Sequence, residues 1–223
     1  MERRDIVLAF FMQFSENSTV NINMLRLLVL CLCLGFAQAS KAKVDSTLTD
    51  TILKLSNAIR LEPDSQKEEA SRMLELLLES YYSEPKNFEN TFGKVPYLGQ
   101  ISSPDGKVKM VCWNAAYETG EFKYHCVLRY QPNKENVFVT VFEDTETDWS
   151  RINRKPVRPN KWYGALYYKI LANKHKGKTY YTVLGWDGKD EITNRKVVDV
   201  LSFQGKSVIL GASLFTDENN RSL

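Results

Sequence analysis

Apolar residues recur at intervals of three and four through Val44, Leu48, Ile52, Leu55 and Ile59, the spacing of one stripe along a helix. Asp45 or Ser46 can cap this helix, which runs to about Arg60. Glu62-Pro63-Asp64 then breaks the chain. Ser65-Gln66-Lys67-Glu68 has the form of a capping box ahead of a second stripe, Ala70, Met73, Leu74, Leu77, Leu78 and Tyr81. The joint is short, so the spacing predicts an antiparallel helical hairpin whose stripes need a further surface to cover.

From Val108 the period changes to that of β-structure. The segments 108–117, 122–130, 137–142, 162–171, 179–184, 197–203 and 207–210 are rich in β-branched and aromatic residues. Asp105-Gly106, Gly120, Gly177, Asp187-Gly188 and Gly205 fall between them at hairpin positions. Strands in series after a run of helices predict an α+β fold. The expectation is an N-terminal helical hairpin packed on a curved, mainly antiparallel sheet, as a meander or half-barrel. Ser103-Pro104-Asp105-Gly106-Lys107 occurs once and no period repeats, which excludes a propeller.

The first forty residues follow another pattern. Arg26 precedes an apolar run from Leu27 to Phe36, and Ala37-Gln38-Ala39 offers a small-x-small cleavage site, the layout of a signal peptide over 24–39. The run is well short of the roughly 18 residues that cross a bilayer, so no transmembrane span is expected in the mature protein. Residues 1–23 carry three acids and two bases, unlike a short basic leader start, and read as an upstream extension with translation beginning at Met24. The expected organisation is then 40–95 as helical hairpin and connector, 96–215 as β-sheet domain and 216–223 as a polar tail. The implied location is periplasmic, extracellular or cell-surface.

Export changes the reading of the cysteines. Cleavage removes Cys31 and Cys33 and leaves Cys112 and Cys126 in an oxidising compartment. Folding Lys107 to Gln131 about Thr119 sets Cys112 opposite Cys126. A cross-strand disulfide closing about 15 residues would contribute roughly 3 kcal/mol. Two separately buried thiols are equally compatible, because directly opposed hairpin cysteines often meet disulfide geometry poorly. His125 adjoins Cys126, but neighbours on a strand point to opposite faces, which disfavours an activated thiol.

Composition is that of a globular protein, with 43% hydrophobic and 12% aromatic residues and 30 Lys+Arg against 27 Asp+Glu. The small net charge hides an asymmetry. Residues 151–206 carry 13 bases and 4 acids, whereas 40–150 carry 13 bases and 18 acids. The basic half reads as a solvated sheet face or an anion-binding surface. Tyr163, Ala165, Tyr167 and Lys169 are expected on one strand face, with Trp162, Leu166, Tyr168 and Ile170 on the other, core-facing side. Tyr163, Tyr167 and Lys169, with Tyr181, Trp186 and Asp187 nearby, are candidates for a stacking platform for sugars or a protein, or for ordinary half-buried sheet positions. Gly164 and Gly185 read as bulges or points of close backbone approach.

No catalytic or cofactor motif is specific. Asp187, Asp190, Glu191 and Asp199 are candidates for a glycosidase-like pair, although spacing fixes no two of them across a substrate. His125 and His175 lack partners at metal-ligand spacing, and Asp187 to Glu191 lacks the alternating oxygen ligands of a calcium loop. Neither a metal nor a cofactor is expected. Nucleic acid is not an expected partner either.

The run Trp162-Tyr163-Gly164-Ala165-Leu166-Tyr167-Tyr168-Lys169, then Lys176-Gly177-Lys178-Thr179-Tyr180-Tyr181-Thr182-Val183-Leu184-Gly185-Trp186-Asp187-Gly188 and Thr193-Asn194-Arg195-Lys196, resembles a family of uncharacterised exported bacterial proteins. Ser103 to Lys107 and Cys112-Trp113-Asn114 look like that family's first sheet segment. The resemblance transfers no catalytic residue. Members continue for further β-segments beyond the counterpart of Gly211 to Phe215, so it implies that this chain is a truncated or frameshifted member. Together these readings predict an exported binding or interaction module of the cell envelope, with a glycan, an anionic envelope component or a protein as partner. The alternative is an envelope or polysaccharide hydrolase using Asp/Glu residues.

Overall fold

The computed structural model describes residues 46–87, 91–145, 156–188 and 194–212. The chain divides into 1–43 and Val44–Leu223, and every described residue belongs to the second unit. The leader at 24–39, the extension before it, Asp190, Glu191 and the tail 216–223 lie outside the described residues.

Two helices, α1 (Ser46–Leu61) and α2 (Asp64–Ser83), precede eight strands. These are β1 (Gly99–Ser102), β2 (Val108–Ala116), β3 (Phe122–Tyr130), β4 (Phe138–Glu143), β5 (Leu166–His175), β6 (Lys178–Asp187), β7 (Arg195–Gln204) and β8 (Ser207–Leu210). The α+β class and the N-terminal hairpin are as the periodicity predicts. The sheet is not one meander. Two antiparallel four-stranded sheets form, β1-β2-β3-β4 and β5-β6-β7-β8, each in sequence order and neither closed. Residues 156–162 bridge their margins. Val157 and Leu210 exchange backbone hydrogen bonds at 2.8 and 2.9 Å, and Thr145 N donates to the Trp162 carbonyl at 2.9 Å.

The capping box does not form. Pro63 stands at the N-cap without a side-chain bond, and its carbonyl accepts from Gln66 N and Lys67 N. The helix therefore starts one residue before Ser65 could cap it. Asp64 is then free to accept from Lys67 Nζ at 2.9 Å and from Glu118 N at 3.1 Å, pinning the start of α2 to the β2–β3 hairpin. At its other end, buried Arg129 on β3 donates Nε to the Tyr82 carbonyl at 2.7 Å and Nη2 to those of Glu84 and Pro85. A cation there satisfies carbonyls that the helix leaves over.

The first sheet lies between two cores. Val108, Met110, Cys112, Tyr124, Cys126 and Leu128 face the second sheet. Val111, Trp113, Ala115 and Val127 pack on Ile52, Ile59, Leu74 and Leu78 of the helices. With both faces covered, β2 and β3 are buried almost end to end. Trp113 also donates Nε1 to Ser71 Oγ at 3.3 Å. Among the described residues no helix is long and apolar enough to cross a membrane.

Candidate functional site

The space between the sheets is apolar at its centre but carries tyrosine–carboxylate pairs. Tyr163 and Tyr167 both donate their hydroxyls to Asp199, one to each oxygen, and Trp162 Nε1 donates to Tyr167 Oη at 3.0 Å. Tyr124 Oη donates to Asp187 Oδ1 at 3.1 Å and accepts from Gly188 N at 2.7 Å, while Arg195 Nη1 donates to Asp187 Oδ2 at 3.3 Å. Tyr181 Oη donates to Asp105 Oδ2 at 2.8 Å. Burial raises the carboxyl of Asp199 above the usual range despite the two phenol donors, and burial also raises that of Asp144, whose oxygen accepts from Tyr124 N. Asp105 goes the other way. Burial pulls it up, but hydrogen bonds from Ser103, Tyr181 and Lys107 N outweigh that and leave it below the ordinary value. Burial pushes Tyr163, Tyr167 and Tyr181 upward, so these phenols stay protonated donors.

Local backbone shape builds this arrangement. In β5 the register moves from Tyr167 opposite Gly185 to Lys169 opposite Leu184, so Tyr168 is an extra residue, a β-bulge. Gly185 allows the Tyr167 ring to lie on the neighbouring strand, where a Cβ would come within 2.9 Å of it. Gly164 sits at φ +75°, and a Cβ there would meet Tyr124 Cδ2 at 2.5 Å.

The bulge corrects the expected face assignment. The strand begins at Leu166 rather than Trp162, and Tyr167 is 1% exposed whereas Tyr168 is 54% exposed. Tyr167 and Tyr181 are thus interior residues, Tyr163 is largely enclosed, and none of the three forms a solvent-facing platform. Trp186 is half-buried, edge-on to Phe122. Asp187 is buried at the end of β6. Lys169 alone of the predicted platform is exposed. Asp187 lies opposite Arg195, and Asp199 opposite Val183. Four residues along a ladder separate them by about 13 Å, beyond the span of two carboxylates flanking one glycosidic bond.

Cys112 and Cys126 do sit opposite each other, but as free buried thiols with their sulfurs 3.2 Å apart. Of the two alternatives the structure has the unbonded one. Burial first, then the neighbouring thiol, raises Cys126 well above an ordinary thiol, which suits an inert side chain. His125 does point away from Cys126. It stacks on Trp113 in the helix-facing core and pairs through Nδ1 with Glu75 Oε1 at 2.6 Å. That partner is 50 residues upstream, beyond the reach of any spacing rule. Among the described residues no group of His, Cys, Asp and Glu could hold a metal.

One set of exposed aromatic and basic groups lies on the outer face of the second sheet. Lys169, Leu184 and Val198 form one cross-strand row, with Lys196 beside it and Leu171 in the next row. Val198 is 56% and Leu171 40% exposed. Lys196 Nζ lies 5.9 Å above the ring of bulged Tyr168, and Lys178 Nζ 5.2 Å above that of Tyr180. Farther along, Thr182, Val200 and Ser202 are buried. Sequence reasoning put Tyr168 on the core-facing side because alternation cannot show an inserted residue, and it did not single out Lys196 or Val198 on β7. Comparison with protein-family models, with curated proteins and with solved structures finds no match to this chain.

Proposed function

We propose that the protein is an exported, non-catalytic binding module, related to the uncharacterised bacterial family its motif resembles, which holds an anionic glycan of the cell envelope on the outer face of its second sheet. The observation that carries this reading is the exposed set Tyr168, Lys169, Leu171, Lys196 and Val198 on one face. A flat aromatic edge flanked by ammonium groups suits a sugar ring bearing carboxylates: the ring stacks on tyrosine while lysine meets the charge. The excess of bases over residues 151–206 favours the same partner by attracting it at long range.

The interior carboxylates support binding over hydrolysis. Asp187 and Asp199 are enclosed, committed to tyrosine or arginine partners, and too far apart to act on one bond. Polygalacturonate provides the test, with uncharged dextran as control. Saturable binding to the former that weakens with salt, and falls at least tenfold in Lys169→Glu/Lys196→Glu, is the expected result. Equal binding of both polymers, or none, overturns it. Fractionation of cells expressing the full chain checks export, with mature protein beginning at Ser40 as the expected product.

A further inference from the structure

A second surface, on the first sheet and independent of the glycan reading, is built around an interrupted ladder. β1 pairs with β2 from Ser102 opposite Lys109 to Gly99 opposite Cys112, and stops there. β2 continues to Ala116. In an antiparallel pair the hydrogen-bonding residues alternate. Ser103 N donates to the Val108 carbonyl on the β1 side, whereas Tyr117 N bonds to Glu121 within the β2–β3 hairpin. The even-numbered residues of β2 therefore turn their N–H and C=O towards β1, and beyond Cys112 these are Asn114 and Ala116. The residue that would face Asn114 is Tyr97. It sits instead at φ +64°, in a turn where Leu98 N donates to the Val95 carbonyl, and the chain leaves the line of the sheet.

The gap is a cavity of about 320 Å³. Trp113, Asn114 and Ala116 form its strand side, and Ile59 and Leu74 its helical wall. At the end nearest β1, Arg60 lies 3.9 Å over the Tyr97 ring and makes no ion pair with another described residue. The Ala116 carbonyl is already taken by Lys67 Nζ at 2.7 Å. What the edge offers is thus the N–H and C=O of Asn114 and the N–H of Ala116, enough for one short segment.

We infer that this notch binds the extended C-terminus of a partner protein, which adds to β2 in the line of β1. A segment antiparallel to β2 enters past Ala116 and runs towards Gly99, so its path is blocked by the Pro96–Tyr97 turn. A chain that must end there ends in a carboxylate, and the cation at that end is Arg60. Its last residue lies opposite Asn114 and its penultimate residue opposite Ala115. Because strand side chains alternate, the penultimate one points to the side of Trp113, Leu74 and Ile59 and is apolar.

An acetylated pentapeptide alternating threonine and valine, with valine penultimate and a free C-terminus, tests this by titration into the full chain under nuclear magnetic resonance. The expected result is saturable shifts and slowed exchange at the Asn114 and Ala116 amides. Amidating the peptide C-terminus, or Arg60→Gln at its exposed site, weakens binding about tenfold, and aspartate at the penultimate position abolishes it. Equal affinity for the acid and the amide overturns the proposal, as do silent amides at Asn114 and Ala116. Shifts there that grow with protein concentration alone also overturn it, since they would mean that a second copy fills the notch.

Discussion

The two sheets have the same strand number and order, yet they spend their side chains differently. The first is covered on both faces, by helices and by the other sheet, so that even Arg129, Lys109 and His125 are buried within it. The second packs one face on the first, and a strip of its other face keeps Tyr168, Lys169, Lys196 and Val198 in contact with solvent while Thr182, Val200 and Ser202 farther along are buried. A doubly covered sheet has backbone groups free for a partner only where its ladder stops, as at Asn114. The second sheet leaves an exposed strip of side chains for recognition.

Charged groups inside the first sheet should therefore matter most to stability. Arg129→Met strips three carbonyls at the end of α2 of their donor and should cost about 3–5 kcal/mol in urea denaturation. A cost under about 1 kcal/mol would mean that α2 does not depend on this cap. Between the sheets, Asp199→Ala removes the acceptor of two tyrosine hydroxyls and should cost about 3 kcal/mol. The same site gives a subtler pH signature. Its carboxyl is raised by burial, so the folded state is penalised once Asp199 ionises, and that penalty is relieved as pH falls through the raised value. Wild type should accordingly gain stability on Asp199→Asn between pH 7 and pH 4, measured as the difference between their denaturation midpoints. The smallest effect is expected on the outer face: Lys169→Glu/Lys196→Glu should stay within about 0.5 kcal/mol of wild type while losing polygalacturonate.

The same contrast explains what could be read from the chain. The helical hairpin was legible because its stripes repeat at three and four, and β2, β3 and β8 fell within a residue of expectation. β1 was missed because Gly99 to Ser102 is too short to show a period. The division into two sheets was hidden because each is a meander, and consecutive hairpins look alike within one sheet or two. Of the two readings of the candidate tyrosines, Tyr167 and Tyr181 follow the ordinary sheet position, and in β5 the residue that parts Tyr167 from exposed Lys169 is Tyr168. One inserted residue exchanges the faces of everything on one side of it, turning a proposed platform of Tyr163 and Tyr167 into the interior. The tyrosine–aspartate pairs join residues 32 to 76 positions apart and had no local signal.

The paired thiols of β2 and β3 also make the protein its own stopwatch. No reagent reaches Cys112 or Cys126 while the second sheet is packed on the first, since each is fully enclosed between the two. The rate at which a large thiol-modifying probe labels them then measures how often the two sheets part, and at high probe concentration it equals the opening rate itself. Oxidation would obey the same gate. A mild disulfide-forming oxidant acting on the folded chain would register the frequency of opening, not the affinity of the two sulfurs for each other.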